Sequence, residues 1–243
     1  MNIAVVIPAR YSSSRFPGKP LALILGKPMI YWVFQRVRSA NLPVEIIVAT
    51  DDSRIAKCVN DFGGIVSMTE QGILSGTERI WAALKDSKFN AFINVQGDEP
   101  LIDPVLIRNI YNKLFLNSSP VISAYHCNYN YSDYISPNVV KVVLSKNNKA
   151  MYFSRSPIPY VKSESFRFFS HHIGIYGYNR EALKFFNCTA PRKLEMLENL
   201  EQIRFLENGY EIDMIEAAQV CKGVDTPEDL SVIEKVIEQF DHD

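Results

Sequence analysis

Residues 3–7, Ile-Ala-Val-Val-Ile, form an unbroken apolar run that leads straight into a basic loop. A short apolar run closed by turn residues reads as a buried strand. The loop, residues 7–21, carries Arg10, Arg15 and Lys19 with three serines between the arginines, and no acidic residue precedes Glu45. Pro8, Pro17 and Pro20 stiffen it, because the pyrrolidine ring fixes φ, and Gly18 permits a turn or a close approach to a ligand. So basic a loop at the end of a first strand suits a polyanion. An ordinary solvated loop is the competing reading. Two common phosphate-binding patterns are excluded: Pro20 stands where a P-loop needs Ser or Thr, and G-x-G-x-x-G does not occur.

Helix and strand signals then alternate. Helical patterns cover 29–40, with Pro28 suited to a first helical position, 53–62, stopped by Gly63-Gly64, 76–87, and 104–116, capped by Asp103. Strand patterns cover 44–49, 65–68 and 91–96. This alternation predicts an α/β layered fold with a mostly parallel central sheet. In such sheets ligands bind beyond the carboxyl ends of the strands. The basic loop, Asp51-Asp52 and the turn Gly97-Asp98-Glu99-Pro100 all fall at those ends, where one crevice could collect them.

The second half reads differently. Strands are expected at 121–126, 139–145, 150–154, 172–178 and 211–217, with a hairpin at Asn147-Asn148 and an irregular tyrosine-rich piece at 129–137. Helices are expected at 180–186, 194–207 and 227–240. In the second of these, Leu194, Leu197, Leu200 and Ile203 form an apolar stripe with Glu198, Glu201 and Gln202 off its centre. The expected organisation is one domain over 1–243, with residues of about 121–178 forming an antiparallel addition.

At 243 residues, 47% hydrophobic, the chain can bury a sizeable core. Its net charge of −1 excludes a nucleic-acid footprint, so any polyanion site must be local. Cys58, Cys127, Cys188 and Cys221 are scattered, which argues against disulfides and structural zinc and for a reducing cytoplasm. The first apolar run ends at Pro8, too short for a signal segment, and no stretch approaches the roughly 20 apolar residues of a membrane span.

Residues 7–21, 75–80, 94–100, 137–143, 152–159, 172–178, 200–209 and 223–230 together resemble, in order, the signature of sugar nucleotidyltransferases. The closest resemblance is to the 3-deoxy-manno-octulosonate (Kdo) cytidylyltransferase family. It implies a layered, Rossmann-like nucleotidyltransferase fold. It also implies transfer of CMP from CTP to the anomeric hydroxyl of Kdo, with Mg2+, for lipopolysaccharide synthesis. A homodimer built on the 121–178 region is implied as well. Carried over residue by residue, the catalytic set is Arg10, Lys19, Asp98 and Asp225, with Asp98 and Asp225 holding metal. The nucleotide set is Arg10, Ser13, Ser14, Arg15, Lys19, Ser75, Arg79 and Gln96. The sugar set is Arg155, His172, Tyr176, Glu201 and Gln202.

The residue types suit the implied chemistry. Arginines can hold phosphate bidentately, and magnesium takes hard oxygen ligands, usually one or two carboxylates with phosphates and water. Bland alternatives stand beside these roles. Asp98 could be a plain turn residue. Asp225 precedes Thr226-Pro227-Glu228-Asp229, a capping box that accounts for its neighbours but not for Asp225 itself. Glu99 reads as solvent-facing, and Asp51-Asp52 as a helix start. The position before His172, usually Lys or Arg in the family, is His171, which replaces a permanent charge by one that titrates near neutral pH. Competing functions are a cytidylyltransferase for another acid sugar, such as 8-amino-Kdo or a sialic-acid-like sugar, a metal-dependent glycosyltransferase, and a non-catalytic nucleotide-binding protein. The glycosyltransferase commonly uses Asp-x-Asp, and Asp98 is followed by Glu99-Pro100. A mere binder has no need of both Asp98 and Asp225.

Overall fold

The apolar opening run becomes β1 (Ile3–Ala9), buried at every position. A computed structural model describes residues 1–12, 16–73, 75–116, 119–218 and 222–240. The chain divides into two compact units, residues 1–111 with 221–243, and residues 112–220. The second takes in the 121–178 stretch together with three further helices and a strand.

In the first unit a 3-10 turn (Lys19–Leu21) and a small hairpin, β2 (Leu23–Ile24) with β3 (Lys27–Pro28), follow β1. Then come α1 (Met29–Ser39), β4 (Glu45–Thr50), α2 (Ser53–Asp61), β5 (Ile65–Met68), α3 (Gly76–Leu84), β6 (Ala91–Asn94) and α4 (Pro104–Phe115). Strands β6, β1, β4 and β5 lie side by side in that order, all parallel, with Val5 opposite Ile46 on one side and Ile93 on the other. A strand paired on both edges and covered on both faces needs apolar residues throughout, which is the pattern of β1. Side chains start the helices as expected: Asp52 accepts the Arg54 N–H at 2.9 Å, Ser75 that of Glu78 at 3.3 Å and Asp103 that of Val105 at 2.9 Å.

In the second unit the elements are β7 (Val121–Asn128), α5 (Tyr131–Ile135), β8 (Lys141–Leu144), β9 (Ala150–Ser154), β10 (Phe169–Asn179), α6 (Arg180–Cys188), α7 (Lys193–Glu198), α8 (Ile203–Glu207) and β11 (Ile212–Glu216). β7 pairs antiparallel with β10 and parallel with β11, and β8 pairs antiparallel with β9 and β10. Asn148, at φ +54°, makes the expected β8–β9 hairpin turn.

Two expectations are corrected here. The 129–137 piece contains α5, started by Asn130, whose side chain accepts the Ser132 N–H at 2.9 Å. The single helix expected at 194–207 is two helices, broken at Asn199, which takes φ +52°. Leu194 and Leu197 are therefore exposed, while Glu195 turns inward to Arg204. Only the Leu200 and Ile203 half of the apolar stripe packs inside.

The chain then returns to the first unit and ends in α9 (Asp229–Phe240). Asp229 accepts the N–H groups of Asp225 and Thr226, each at 3.0 Å, which fixes the approach to that helix. Ile24, Met29, Leu101, Val224, Ile233 and Ile237 form a core beneath it. Among the described residues no helix is long and apolar enough to cross a membrane.

Candidate active site

Lys19, on the far side of the basic loop, reaches the turn after β6. Its ammonium pairs with the Asp98 carboxylate and donates to the Val224 carbonyl at 2.7 Å. The Val224 N–H in turn donates to the Asp98 carbonyl at 2.9 Å. Three segments distant in sequence are thus tied at one place, and two glycines let them meet. A Cβ on Gly97 would lie 2.8 Å from the Pro8 carbonyl oxygen, so only glycine lets the Asp98 turn rest on the end of β1. A Cβ on Gly223 would lie 3.1 Å from Glu99 Oε1. The loop closes through the Gly18 N–H to the Tyr11 carbonyl, 2.9 Å, with Gly18 at φ +72°. The Tyr11 ring lies under the Arg54 guanidinium, 3.4 Å from carbon to ring centre.

Glu99 does not face solvent as expected. It is half-buried, and its Oε2 is enclosed without a hydrogen-bond partner among the described residues. Burial first, then the Asp98 charge, with Lys19 opposing and Asp225 adding, push its carboxyl up to about 8. Lys19 is thus paired with Asp98, Glu99 lies beside them, and Asp225 is near enough to Glu99 to act on its charge. Arg10 follows β1 and is exposed; Ser13, Ser14 and Arg15 lie outside the described residues.

The remaining nucleotide candidates sit at the α3 end of the same sheet. Gln96 donates to Asn94 Oδ1 at 3.2 Å and lies against Gly76, and Ser75 caps α3. Arg79 is not a solvated helix residue. It is 2% exposed and holds the 69–73 segment, donating to Thr69 Oγ1 at 2.6 Å, the Ile73 carbonyl at 2.9 Å and Asp51 at 3.0 Å. Asp52 caps α2 as expected, but Asp51 is the partner of Arg79, a pairing across 28 positions that no local pattern signals.

The sugar candidates lie in the second unit. His172 Nε2 is 3.1 Å from both the Tyr176 hydroxyl and the Ser123 hydroxyl, all three buried. Burial, then His171, pulls the His172 imidazole down to about 3, so it is neutral. Arg155 donates to the carbonyls of Glu198 at 3.0 Å and Pro137 at 3.1 Å, and the Glu198 carboxylate accepts from Ser154 and the Arg155 N–H. Gln202 is buried with its Nε2 unpartnered among the described residues, and Glu201 is half-buried beside it in the chain. Two features escaped the sequence reading. Lys141 is fully buried, donating to the carbonyls of Ser136 at 2.8 Å, Val139 at 2.6 Å and Arg155. His171 is not a group that titrates near neutral pH: burial pulls it down to about 4, against Asp133 and with His126 and Lys141.

The fold is that of solved nucleotidyltransferases. A nucleotidyl transferase from Methanothermobacter has the same fold, with a TM-score of 0.64 at 14% identity, covering 98% of this chain and 99% of that one. More narrowly, the chain belongs to the cytidylyltransferase family, whose family model matches residues 4–213. It is 42% identical to the 3-deoxy-manno-octulosonate cytidylyltransferase of Geobacter metallireducens, over 99% of both chains. It is 46% identical to that of Syntrophotalea carbinolica, over 96% of this chain and 98% of the relative. The solved structure of a CMP:2-keto-3-deoxy-manno-octonic acid synthetase complexed with CTP superposes with a TM-score of 0.93 at 38% identity, covering 98% of this chain and 99% of that one.

Proposed function

We propose that this protein transfers CMP from CTP to the anomeric hydroxyl of Kdo and releases pyrophosphate. One observation carries the reading: Lys19, Asp98, Glu99 and the 223–225 segment meet at the carboxyl edge of the sheet in a member of the cytidylyltransferase family. In the reaction the sugar oxygen bonds to the α-phosphorus and the bond to the bridging oxygen breaks. The hydroxyl proton passes to solvent. Transfers of this kind rest on positioning and charge stabilisation, and no protein nucleophile is needed. Arg10 and Lys19, with Arg15, supply cations for the triphosphate. Ser75, Gln96 and the segment held by Arg79 frame the nucleoside, with Arg79 acting from beneath. His172, Tyr176, Arg155, Glu201 and Gln202 bind the acid sugar, and the unpartnered Gln202 amide is a donor ready for it.

The acidic group fits magnesium. The Asp98 and Asp225 donors are hard oxygens, and beside Asp98 the enclosed Glu99 Oε2 has no hydrogen-bond partner among the described residues, which is negative charge and lone-pair capacity that a cation would relieve. Asp98 and Asp225 would hold it, with Lys19 turning from Asp98 to phosphate. Magnesium there supplies Lewis-acid charge stabilisation and eases loss of the hydroxyl proton. We assign the protein to a reducing cytoplasm, in keeping with free Cys58, Cys127 and Cys188, and its product to lipopolysaccharide synthesis. We also assign it a homodimeric state, motivated by the exposed aromatics Tyr129 and Phe168 of the second unit.

The test is pyrophosphate release from CTP, magnesium and a panel of acid sugars. Kdo should be turned over fastest. Faster turnover of 8-amino-Kdo or a sialic-acid-like sugar would transfer the assignment to that sugar, and no release with any would overturn it. Asp98→Asn and Asp225→Asn should each lower the single-turnover rate at least about a hundredfold, since metal-assisted stabilisation is worth several kcal/mol. The double variant should be little worse than either, as expected of one functional unit. Near-normal rates in both folded single variants would remove the metal assignment.

A further inference from the structure

Ser123 of β7 is fully buried opposite a break in the β10 pairing. His172 pairs with Tyr125 and Ile173 with Ala124, but the next pair is Tyr176 with Ser123, so Gly174 and Ile175 bulge out of register. A bulge disrupts the ladder and re-aims the side chains beside it. Here Ser123 fills the gap. Its Oγ lies 3.0 Å from the Ile175 carbonyl oxygen and 3.4 Å from that of Ile173. It also lies 3.1 Å from His172 Nε2, which is 3.1 Å from the Tyr176 hydroxyl.

Counting protons gives one consistent set of directions. A carbonyl only accepts, and the Ile175 carbonyl at 3.0 Å is the nearest acceptor, so the one Ser123 proton is assigned to it. The serine oxygen therefore meets His172 Nε2 with a lone pair, and Nε2 must carry hydrogen. With the Ser123 proton on Ile175, the opposite tautomer would set the bare Nε2 lone pair against a serine lone pair at 3.1 Å. With Nε2–H shared between the two oxygens, Tyr176 does not spend its proton on His172. The His172 backbone N–H donates to the Val140 carbonyl at 2.9 Å, which anchors the residue, and its ring meets Phe153 edge-on, 5.0 Å between ring centres.

We propose that Ser123 is a positioning residue. It closes the β10 bulge and holds His172 as the Nε2–H tautomer, so that Tyr176 presents its phenol proton to an acceptor on the acid sugar. This rests on the reading of His172 and Tyr176 as sugar-binding residues, and the experiment separates the two. The readouts are the nitrogen NMR shifts of the His172 ring and the KM values for Kdo and CTP. They are measured in the wild type, Ser123→Ala, Ser123→Thr and the control His172→Ala. Ser123→Cys, similar in size but a weak donor, replaces Ser123→Ala if the latter does not fold.

The wild type should show Nε2–H. Ser123→Ala should lose that single tautomer and raise the KM for Kdo about tenfold, the scale of one hydrogen bond, with the KM for CTP within about twofold. Ser123→Thr should restore both. An unchanged His172 tautomer in folded Ser123→Ala overturns the proposal. So does an unchanged Kdo KM in Ser123→Ala when His172→Ala raises it. If His172→Ala also leaves the Kdo KM unchanged, the sugar-site reading has failed, and the proposal with it.

Discussion

Leu25 sits at φ +48° in the β2–β3 turn, followed by Gly26 at φ +73°. A left-handed conformation costs a leucine roughly 1–2 kcal/mol, and its side chain is 37% exposed, so packing returns little. Leu25→Asn keeps the backbone N–H that donates to Glu234 at 3.1 Å and tolerates that conformation. It should raise stability by about 1 kcal/mol in thermal unfolding and leave turnover unchanged; a lower midpoint would refute the strain. His171 and His172 set an acid limit. Both have folded pKa values below the ordinary imidazole value of 6.5, so they contribute stability above that pH, and it is lost as pH falls toward about 4 and about 3. Near pH 5 each should cost about 2 kcal/mol. His171→Gln should therefore shrink the drop in urea-unfolding stability between neutral pH and pH 5, and an undiminished drop would show that His171 does not titrate this way. The charge-bearing residues Lys19 and Asp98 were legible because a motif carries them. Glu99 was not, because its enclosure comes from Gly223, more than a hundred positions away.

At the level of elements, the helices of the first unit announced themselves through their caps, and β1 through its unbroken apolar run. The turn after β6 depends on a different signal, the absence of a side chain. Gly97→Ala would place a methyl against the Pro8 carbonyl and force the turn away from β1. A loss of about 1–3 kcal/mol is expected, with a fall in turnover larger than the loss of fold explains, because Asp98 moves with the turn. Comparing unfolding and single-turnover rates of that variant decides it; normal turnover would show that the close approach does not position Asp98. The α7–α8 region was misread because an apolar period of the right length crosses Asn199, and sequence periodicity cannot see a left-handed break. What fixes the local fold is the buried pair of Glu195 and Arg204, with Arg204 also donating to the Phe186 carbonyl at 2.9 Å and lying 3.8 Å over its ring. Arg204→Met should cost about 3–5 kcal/mol by leaving Glu195 buried and unpaired, and adding Glu195→Leu should recover much of it. A double variant no more stable than the single one would contradict the unpaired-charge account.

For the whole molecule, the parallel half was legible because β1 and β6 are buried at every position and its helices intervene at regular spacing. The second unit was harder. Its strands are mixed in direction, its bulge at Gly174 has no sequence signature, and its aromatics divide between two duties. Tyr134 and Phe169 are buried, 5.6 Å apart between ring centres, and serve the core of that unit. Tyr129 and Phe168 pack on each other at 6.1 Å yet are 72% and 53% exposed. Paired, exposed aromatic rings leave apolar surface in water, and a second copy of the chain would cover it. The expected mass in light scattering at micromolar concentration is therefore twice the 27.7 kDa of the chain. Tyr129→Ser with Phe168→Ser removes exposed rings without touching Tyr134 or Phe169. It should lower the dimer's thermal stability and shift the mass toward one chain on dilution. A one-chain mass for the wild type at micromolar concentration would eliminate the dimer. A dimer unaffected by the paired substitution would place the interface on another part of the surface.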